Sequence, residues 1–277
     1  MSENQQTEQQ WRWPIGKNFS PTALKTYAEC PSRVKMQYLQ KLEPPYQWVR
    51  HFALGRATHN ALRSIANQLK TGSELMLDEH IRQMCELEMP QKEYPSAEAR
   101  EYDIGLVIGW VRRGRGWLQS LEIEDWMLIE QFADRKFEMF QAKVQYSVIT
   151  RPDLIVKQLD DDGEPYYNVI DWKTGAVYEL PDVPVIMRFA LRSQLESWMG
   201  EANAANVRFT WYWLDADVRR EVDVSMEHVS RQWPDIVQQM RSLALESEWK
   251  ATPGRHCLYC PYYRNYCPEE IPPDSEY

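Results

Sequence analysis

The chain has 277 residues, 43% hydrophobic and 26% charged, a mixture typical of a globular protein with a sizeable core. Its net charge of −9 argues against broad, sequence-independent binding of polyanions, although it leaves room for a small basic groove. No apolar run approaches membrane-spanning length, which argues against a membrane protein.

The chain divides into a tail and a single domain. Residues 1–17 are predicted to be a disordered tail, because the N-terminus is polar. It also lacks the basic and apolar regions of a secretory signal. We therefore expect a cytoplasmic protein, in which five cysteines favour metal over disulfides. The domain over 18–277 is predicted to have a helical region (18–120), a sheet core (121–224), and a last helix with a cysteine-rich segment (225–277).

Helical patterns fill the first part of this domain. Ser20 before Pro21 predicts an N-cap and a helix, which Cys30-Pro31 ends before a second helix starts. The pattern FALGRATHNALRSIANQL (52–69) predicts a third helix, with His59 off its apolar stripe. A histidine in such a place is, taken alone, more often structural than a ligand.

Residues 73–120 also have mostly helical patterns. Cys85 is expected to be a buried or half-buried free thiol. The segment IGLVIGWVRRGRGWL (104–118) predicts a core helix, with a lid or a DNA-facing helix as the alternative.

A β-hairpin is the centre of the predicted sheet. Strand patterns at WMLIEQFA (126–133) and VQYSVI (144–149) precede two further runs, DLIVKQL and YYNVIDW, which flank the turn tract DDDGEP (160–165). This hairpin brings Asp153 close to Asp171 and Lys173. Since Asp171 and Lys173 are two residues apart, they point to the same face of their strand.

These three side chains have a chemical use. Two carboxylates can hold Mg²⁺ or Mn²⁺, and a lysine can orient a water or stabilise negative charge in a transition state. The alternative is a solvated hairpin with an ordinary ion pair.

The remaining segments complete a mixed α/β pattern. We predict a helix over 188–204, strands over 207–214 and 218–224, and a last helix over 225–247 with a break or new start at Pro234. In the first of these helices Gln194 and Trp198 are four residues apart and share a face. The Trp198 ring could stack on a nucleic-acid base, but it could equally well pack in the protein core.

The cysteines near the C-terminus form a further motif. Cys257 and Cys260 make a C-x₂-C pair, Cys267 follows, and Cys30 is a fourth thiol from the N-terminal helices. Such a set is compatible with zinc, for which His256 is a further candidate ligand, or with an iron–sulfur cluster.

Several of these motifs resemble the PD-(D/E)XK nuclease superfamily. Pro152-Asp153 resembles its first acidic position, and Asp171-Trp172-Lys173 resembles its acid-x-lysine motif. The run Gly55 to His59 resembles the leading-helix histidine of RecB-type members. Gln194 and Trp198 resemble their Gln-x-x-x-Tyr motif, with tryptophan in place of tyrosine. Arg151 departs from the pattern, since many relatives have glycine there.

The cysteine spacing is similar to that of iron–sulfur members, namely CRISPR-associated adaptation nucleases, AddB-type nuclease domains and exonuclease V. The resemblance implies a restriction-endonuclease-like mixed sheet flanked by helices, and a DNA nuclease, most typically an exonuclease, acting on single strands or DNA ends. It also implies that Mg²⁺ or Mn²⁺ binds to His59, Asp153, Asp171 and the Trp172 carbonyl, with Lys173 as the catalytic cation. Gln194 and Trp198 would then position the DNA. A structural 4Fe-4S cluster would be bound by Cys30, Cys257, Cys260 and Cys267. The alternative is a non-catalytic DNA-binding or assembly subunit of a helicase or CRISPR integrase complex.

Overall fold

The computed structural model describes residues 13, 18–44, 46–129, 133–138, 145–178, 182–199 and 206–267. The predicted tail lies outside these residues apart from Trp13, which is buried and stacks on Phe19 with ring centroids 5.6 Å apart. In the described part of the chain, no helix is long and apolar enough to cross a membrane.

Helices occupy the first part of the chain, as predicted. They are α1 (Pro21–Glu29), α2 (Pro31–Val34, continued by a π-helical turn over Lys35–Leu39), α3 (Tyr46–Thr71), α4 (Asp78–Glu88) and α5 (Ala97–Ser120). A short 3-10 turn, Gln91–Glu93, lies between the last two. The predicted N-cap is confirmed, because Ser20 Oγ accepts a hydrogen bond from the Ala23 N–H at 3.2 Å.

The strands form a five-stranded mixed sheet and a separate hairpin. The strands are β1 (Asp125–Ile129), β2 (Ala133–Glu138), β3 (Gln145–Thr150), β4 (Leu154–Leu159), β5 (Pro165–Lys173), β6 (Val207–Trp213) and β7 (Val218–Val222). The sheet order is β1-β4-β5-β6-β7, and β2 pairs only with β3. Among the strands of the described residues, only β5 and β6 pair in parallel, and α6 (Asp182–Met199) lies between them in sequence. The predicted mixed sheet and its β4–β5 hairpin are confirmed.

Two boundaries differ from the prediction. Helix α7 runs without a break from Met226 to Leu245, so the predicted break at Pro234 is wrong. Proline removes one backbone hydrogen bond, but one buried face continues along the helix on both sides of it (Val229, Ile236, Met240 and Leu243). Helix α6 begins at Asp182, before the predicted start at 188, and the predicted residues 200–204 lie outside the described residues.

Helices cover both faces of the sheet. One face packs on α3 and α5 through side chains that include Leu154, Val156, Ile170, Trp172 and Tyr212. The opposite face packs on α6 through side chains that include Ile155, Val169, Phe209 and Trp211. Helices α1 and α7 pack on the outer side of α6 together with Val148 of β3.

Backbone pairing holds the start of α1 beside the central hairpin. The Phe19 N–H donates to the Ser147 carbonyl, and the Ile149 N–H donates to the Phe19 carbonyl, both at 2.8 Å. Strand β3 then leads directly through Arg151 into the turn before β4. The N-terminus of α1 is therefore fixed close to Asp153, which begins that hairpin.

Candidate active site

The predicted acidic residues meet at one end of the β4–β5 hairpin. Leu154 pairs with Ile170, so Asp153 continues this antiparallel register opposite Asp171. Lys173 follows two residues later on the same face of β5, and its Nζ lies 2.5 Å from Asp171 Oδ2. From α3, His59 Nδ1 contacts Asp153 Oδ1 at 2.9 Å.

Both carboxylates are buried and held by further donors. The Trp172 N–H donates to Asp153 Oδ2 at 2.6 Å. The Trp211 indole N–H donates to Asp171 Oδ2 at 3.2 Å. Trp211 was not predicted from the sequence as part of this site. It is the register partner of Asp171 on the parallel strand β6, a pairing that only the folded sheet establishes.

The environment pushes the pKa values of the two carboxyl groups in opposite directions. Burial, assisted by the charge of Asp153, raises the pKa of Asp171 to about 6 against the opposing effect of Lys173. Burial also raises the pKa of Asp153, but the charge and hydrogen bond of His59 outweigh it and lower that pKa below its usual range. Burial lowers the pKa of Lys173, yet the neighbouring Asp171 charge raises it overall, so the ammonium form is favoured.

The four side chains line a cavity of about 420 Å³. The first turn of α1 and Lys25 also line this cavity, as do Val183 and Met187 of α6. A second cavity, of about 480 Å³, is lined in part by the same His59, Lys173 and Tyr178. The candidate site is therefore an open groove of two cavities that meet at these three residues.

For Trp172, Gln194 and Trp198 the structure gives less information about the predicted roles. Trp172 is not among the residues that line the first cavity but lines the second, and its ring packs edge-on against Trp117, with ring centroids 5.5 Å apart. Its predicted role concerns only its backbone carbonyl, which this packing does not affect. Gln194 and Trp198 lie on α6, but their side chains fall outside the described residues, so their role stays a prediction.

The donor set at the hairpin suits a hard divalent cation. Two carboxylates and an imidazole are ligands that Mg²⁺ and Mn²⁺ accept. As the side chains stand, however, no three His, Cys, Asp or Glu residues in the described ranges are arranged as a metal-ion site. The carboxylate oxygens are instead turned onto His59, Lys173 and the Trp172 N–H.

The predicted cluster cysteines also come together. Cys30, Cys257, Cys260 and Cys267 line one cavity, although they come from opposite ends of the chain. They are free thiols, and the Gly254 N–H donates to Cys257 Sγ at 3.4 Å. Cys85 is separate from them in the core, where burial raises the pKa of its thiol to about 12.

Hydrogen bonds fasten the cysteine segment to the N-terminal helices. The Ser32 N–H donates to the Lys250 carbonyl at 3.3 Å, and the Tyr262 hydroxyl donates to the Leu42 carbonyl at the same distance. Met36, Cys260 and Tyr262 form a small buried cluster beside these bonds.

Comparison with known proteins identifies the family of this chain. A family model described as the PD-(D/E)XK nuclease superfamily matches residues 18–268. No curated protein matches the chain. A solved structure titled "Crystal structure of SSO0001" is 15% identical, covers 94% of this chain and 90% of that chain, and has a TM-score of 0.42, too low to support an argument. The five-stranded mixed sheet flanked by helices is the restriction-endonuclease-like fold that the sequence predicts. Because the family model extends over most of the sequence, the chain belongs to the PD-(D/E)XK nuclease superfamily.

Proposed function

We propose that the protein is a metal-dependent DNA nuclease of the RecB type, which acts as an exonuclease on single-stranded DNA or DNA ends. One observation carries this proposal: His59, Asp153, Asp171 and Lys173 line a single cavity although they come from α3 and both strands of the hairpin. A protein that only binds DNA has no need of two buried carboxylates beside a lysine, since carboxylates repel phosphate. This favours the enzyme over a non-catalytic subunit.

The chain offers a set of groups for Mg²⁺ or Mn²⁺. His59, Asp153, Asp171 and the Trp172 carbonyl would hold the ion. When bound, such an ion lowers the pKa of a water molecule and neutralises charge on a phosphate oxygen. The Trp172 N–H and the Trp211 indole would keep the two carboxylates in place, because each already donates to one of them.

Lys173 supplies the second positive charge of the site. Its raised pKa keeps it protonated, and Asp171 holds its ammonium group at 2.5 Å. A fixed ammonium group in a largely buried setting stabilises negative charge that develops on a phosphate in the transition state. This role needs the lysine in place before the substrate arrives, which the ion pair with Asp171 provides.

We further propose that the four clustered cysteines hold a structural 4Fe-4S cluster. Four thiols around one cavity, with a backbone N–H donating to a sulfur, support this assignment. The cavity lies among α2, the 3-10 turn Arg255–Tyr259 and the chain after it, and none of its lining residues lines the catalytic cavity. The cluster would therefore join the chain ends without taking part in hydrolysis.

Digestion of labelled single- and double-stranded DNA with Mg²⁺, Mn²⁺ or excess EDTA tests the function. We expect cleavage only with metal. Lys173→Ala should lower turnover by at least about a hundredfold while metal and DNA binding remain, because the lysine acts on the transition state. Asp171→Ala should lose both cleavage and tight metal binding.

Lys250→Ala is the matched control, since this lysine is exposed and pairs with Glu248 outside the cavity. Full cleavage in EDTA, or near-normal turnover of Lys173→Ala, would contradict the assignment. Metal-independent DNA binding without cleavage would favour the non-catalytic subunit instead.

A further inference from the structure

The catalytic cavity has a second wall, which does not include the proposed metal ligands or Lys173. This wall is the N-terminus of α1 with Ser20 and Thr22, followed one turn later by Lys25. Pro21 has no N–H and the Ala23 N–H already donates to Ser20 Oγ, so this first turn leaves the Thr22 N–H for an anion, to which the helix dipole adds its attraction. The pairing of Phe19 with β3 holds this end of α1 against the cavity.

A buried hydroxyl from β3 lines the same cavity and lacks a hydrogen-bond partner among the described residues. Thr150 lines the cavity and is only 4% exposed, and its Oγ1 has no hydrogen-bond partner among the described residues. Native proteins seldom leave such a group unsatisfied. Because the oxygen itself is buried, the Thr150 side chain has to rotate to present it to a ligand oxygen in the cavity. This observation is independent of the helix terminus.

Lys25 brings a cation to the same wall. Its Nζ lies 3.6 Å from Glu29 Oε1 and 5.0 Å from the centre of the Tyr178 ring. Glu29 also pairs with Arg33 at 3.2 Å, so its charge is shared between two cations. Lysine is a common partner of phosphate, and here it projects from the first turns of the helix whose N-terminus lines the cavity.

The charge balance of the cavity favours an anionic ligand. Its described lining carries three cationic side chains, Lys25, Arg151 and Lys173, against the carboxylates of Asp153 and Asp171. The whole chain has a net charge of −9, so this excess of positive charge is local. A bound divalent ion would add to it.

We propose that Thr22, Lys25 and Thr150 form a phosphate subsite, which holds the phosphodiester next to the scissile one in a single DNA strand. The half-exposed Tyr178 beside Lys25 offers a face on which the neighbouring unpaired base stacks. The subsite rests on the proposed nuclease function and assigns one part of its substrate contact. It explains how a strand is placed relative to Asp153 and Asp171 without base-specific contacts.

Binding is the first test. A fluorescein-labelled oligothymidylate is titrated with the calcium-loaded protein at several KCl concentrations, and anisotropy gives the affinity. Lys25→Ala should weaken binding about tenfold at low salt and reduce the salt slope by about one, because one phosphate contact is lost. Lys25→Arg should restore the slope, and Lys250→Ala should leave it unchanged.

Cleavage kinetics locate the contact. Oligonucleotides carrying a neutral methylphosphonate on either side of the scissile phosphate are cut by the manganese-loaded protein. At one of the two positions the modification should raise the KM of wild type about tenfold, while Lys25→Ala is insensitive to it. Thr150→Val should also raise KM, with an equal or higher melting temperature, because valine removes a buried hydroxyl that has no partner.

The outcomes separate the two proposals. An unchanged salt slope, or equal sensitivity of wild type and Lys25→Ala to both methylphosphonates, overturns the subsite while wild-type cleavage stands. Lys25-dependent binding by a protein that cuts no DNA keeps the subsite and overturns the nuclease. A wild type that neither binds nor cuts the oligonucleotide overturns both.

Discussion

Of the two carboxyl groups in the site, Asp171 is the one whose ionised form is disfavoured by its surroundings. Its carboxylate is buried near that of Asp153, and this raises its pKa to about 6 even though Lys173 and Trp211 contact it. Burying two like charges is unfavourable unless a cation compensates them. Residues with such strongly shifted pKa values concentrate at functional sites, which agrees with the proposed metal position.

This pKa gives a pH dependence for metal binding. Above about pH 6 the Asp171 carboxylate is ionised, whereas below it an incoming ion must displace a proton. The affinity for Mn²⁺ should therefore fall by up to about tenfold for each pH unit below 6 and should change little with pH above pH 7. Asp153 stays ionised in this range because its pKa is lowered. Calorimetric titrations between pH 5 and 8 measure the effect, and a flat profile would contradict it.

The Trp211 indole should tune the same profile. Trp211→Phe removes the donor to Asp171 Oδ2 and keeps most of the aromatic packing. Loss of a hydrogen bond to the ionised form raises the carboxyl pKa, so the profile should move to higher pH by up to about one unit. Trp213→Phe is the matched control on the same strand, because the Trp213 indole has no hydrogen-bond partner in the described ranges. Equal profiles for the two variants would refute the tuning.

Three of the residues that the sequence predicts for this cavity share a local origin. Asp153, Asp171 and Lys173 lie on one hairpin, so their approach follows from strand alternation and one turn. Thr150, Lys25 and Trp211 come from other elements, and their contacts depend on packing that leaves no periodic pattern. His59 was placed through the resemblance and not through its helical pattern, since it lies off the apolar stripe.

Helices α3 and α5 pack unusually closely at Gly114. A Cβ added there would lie 2.6 Å from Leu62 Cδ2 and 3.3 Å from Leu214 Cδ2. Leu62 is on α3, less than one turn after His59, and Leu214 directly follows β6. This contact therefore fixes the helix that carries His59 against the sheet.

Substitution of this glycine should lower stability. Gly114→Ala forces Leu62 or Leu214 to move, and we expect the free energy of unfolding to fall by about 1–3 kcal/mol. Gly109→Ala on the same helix is the control, because nothing lies within 4 Å of the added Cβ. Since alanine favours the helix, that variant should gain up to about 1 kcal/mol. Urea unfolding measures both, and an equal effect of the two would show that packing at Gly114 is not tight.

Elements were predictable where the side chains are strongly apolar. The β4–β5 hairpin has this character, being buried on both faces, and its strands were predicted almost to the residue. Strand β2, ADRKFE, is rich in charge and was therefore missed as a separate strand. At Pro234 the local rule predicted a break, but the buried face of α7 outweighed the lost hydrogen bond.

At the scale of the whole molecule, the two ends of the described chain are joined. The Tyr27 hydroxyl donates to Glu246 Oε2 at 2.9 Å, across 219 residues of sequence. The four clustered cysteines lie at the same junction, where α2 meets the cysteine segment. A crosslink at this place closes a loop that contains the entire sheet.

Removal of one cysteine tests this crosslink. Cys30→Ala should lose iron and brown colour, and the free energy of unfolding should fall by about 2–5 kcal/mol, the range for crosslinks that close long loops. Cys85→Ala is the control, because this thiol lies in the core and outside the four-cysteine cavity. It should keep its iron. Iron, sulfide and zinc analysis measures the metal content, and thermal melts measure the stability. Stoichiometric zinc in a colourless protein would contradict the iron–sulfur cluster. A fully stable Cys30→Ala variant would contradict the crosslink.

The junction between the two ends of the described chain also sets an order in which contacts can form during synthesis. The ribosome makes α1 first, yet its partner Glu246 emerges 219 residues after Tyr27. Contacts so distant in sequence form late in folding. The pairing of Phe19 with β3 holds the N-terminus of α1 at the catalytic cavity, whereas Tyr27, near the other end of this helix, gains its contact only after Glu246 has been made. A chain made only as far as the end of β5 thus already carries Asp153, Asp171 and Lys173, while α1 still lacks its contact with Glu246.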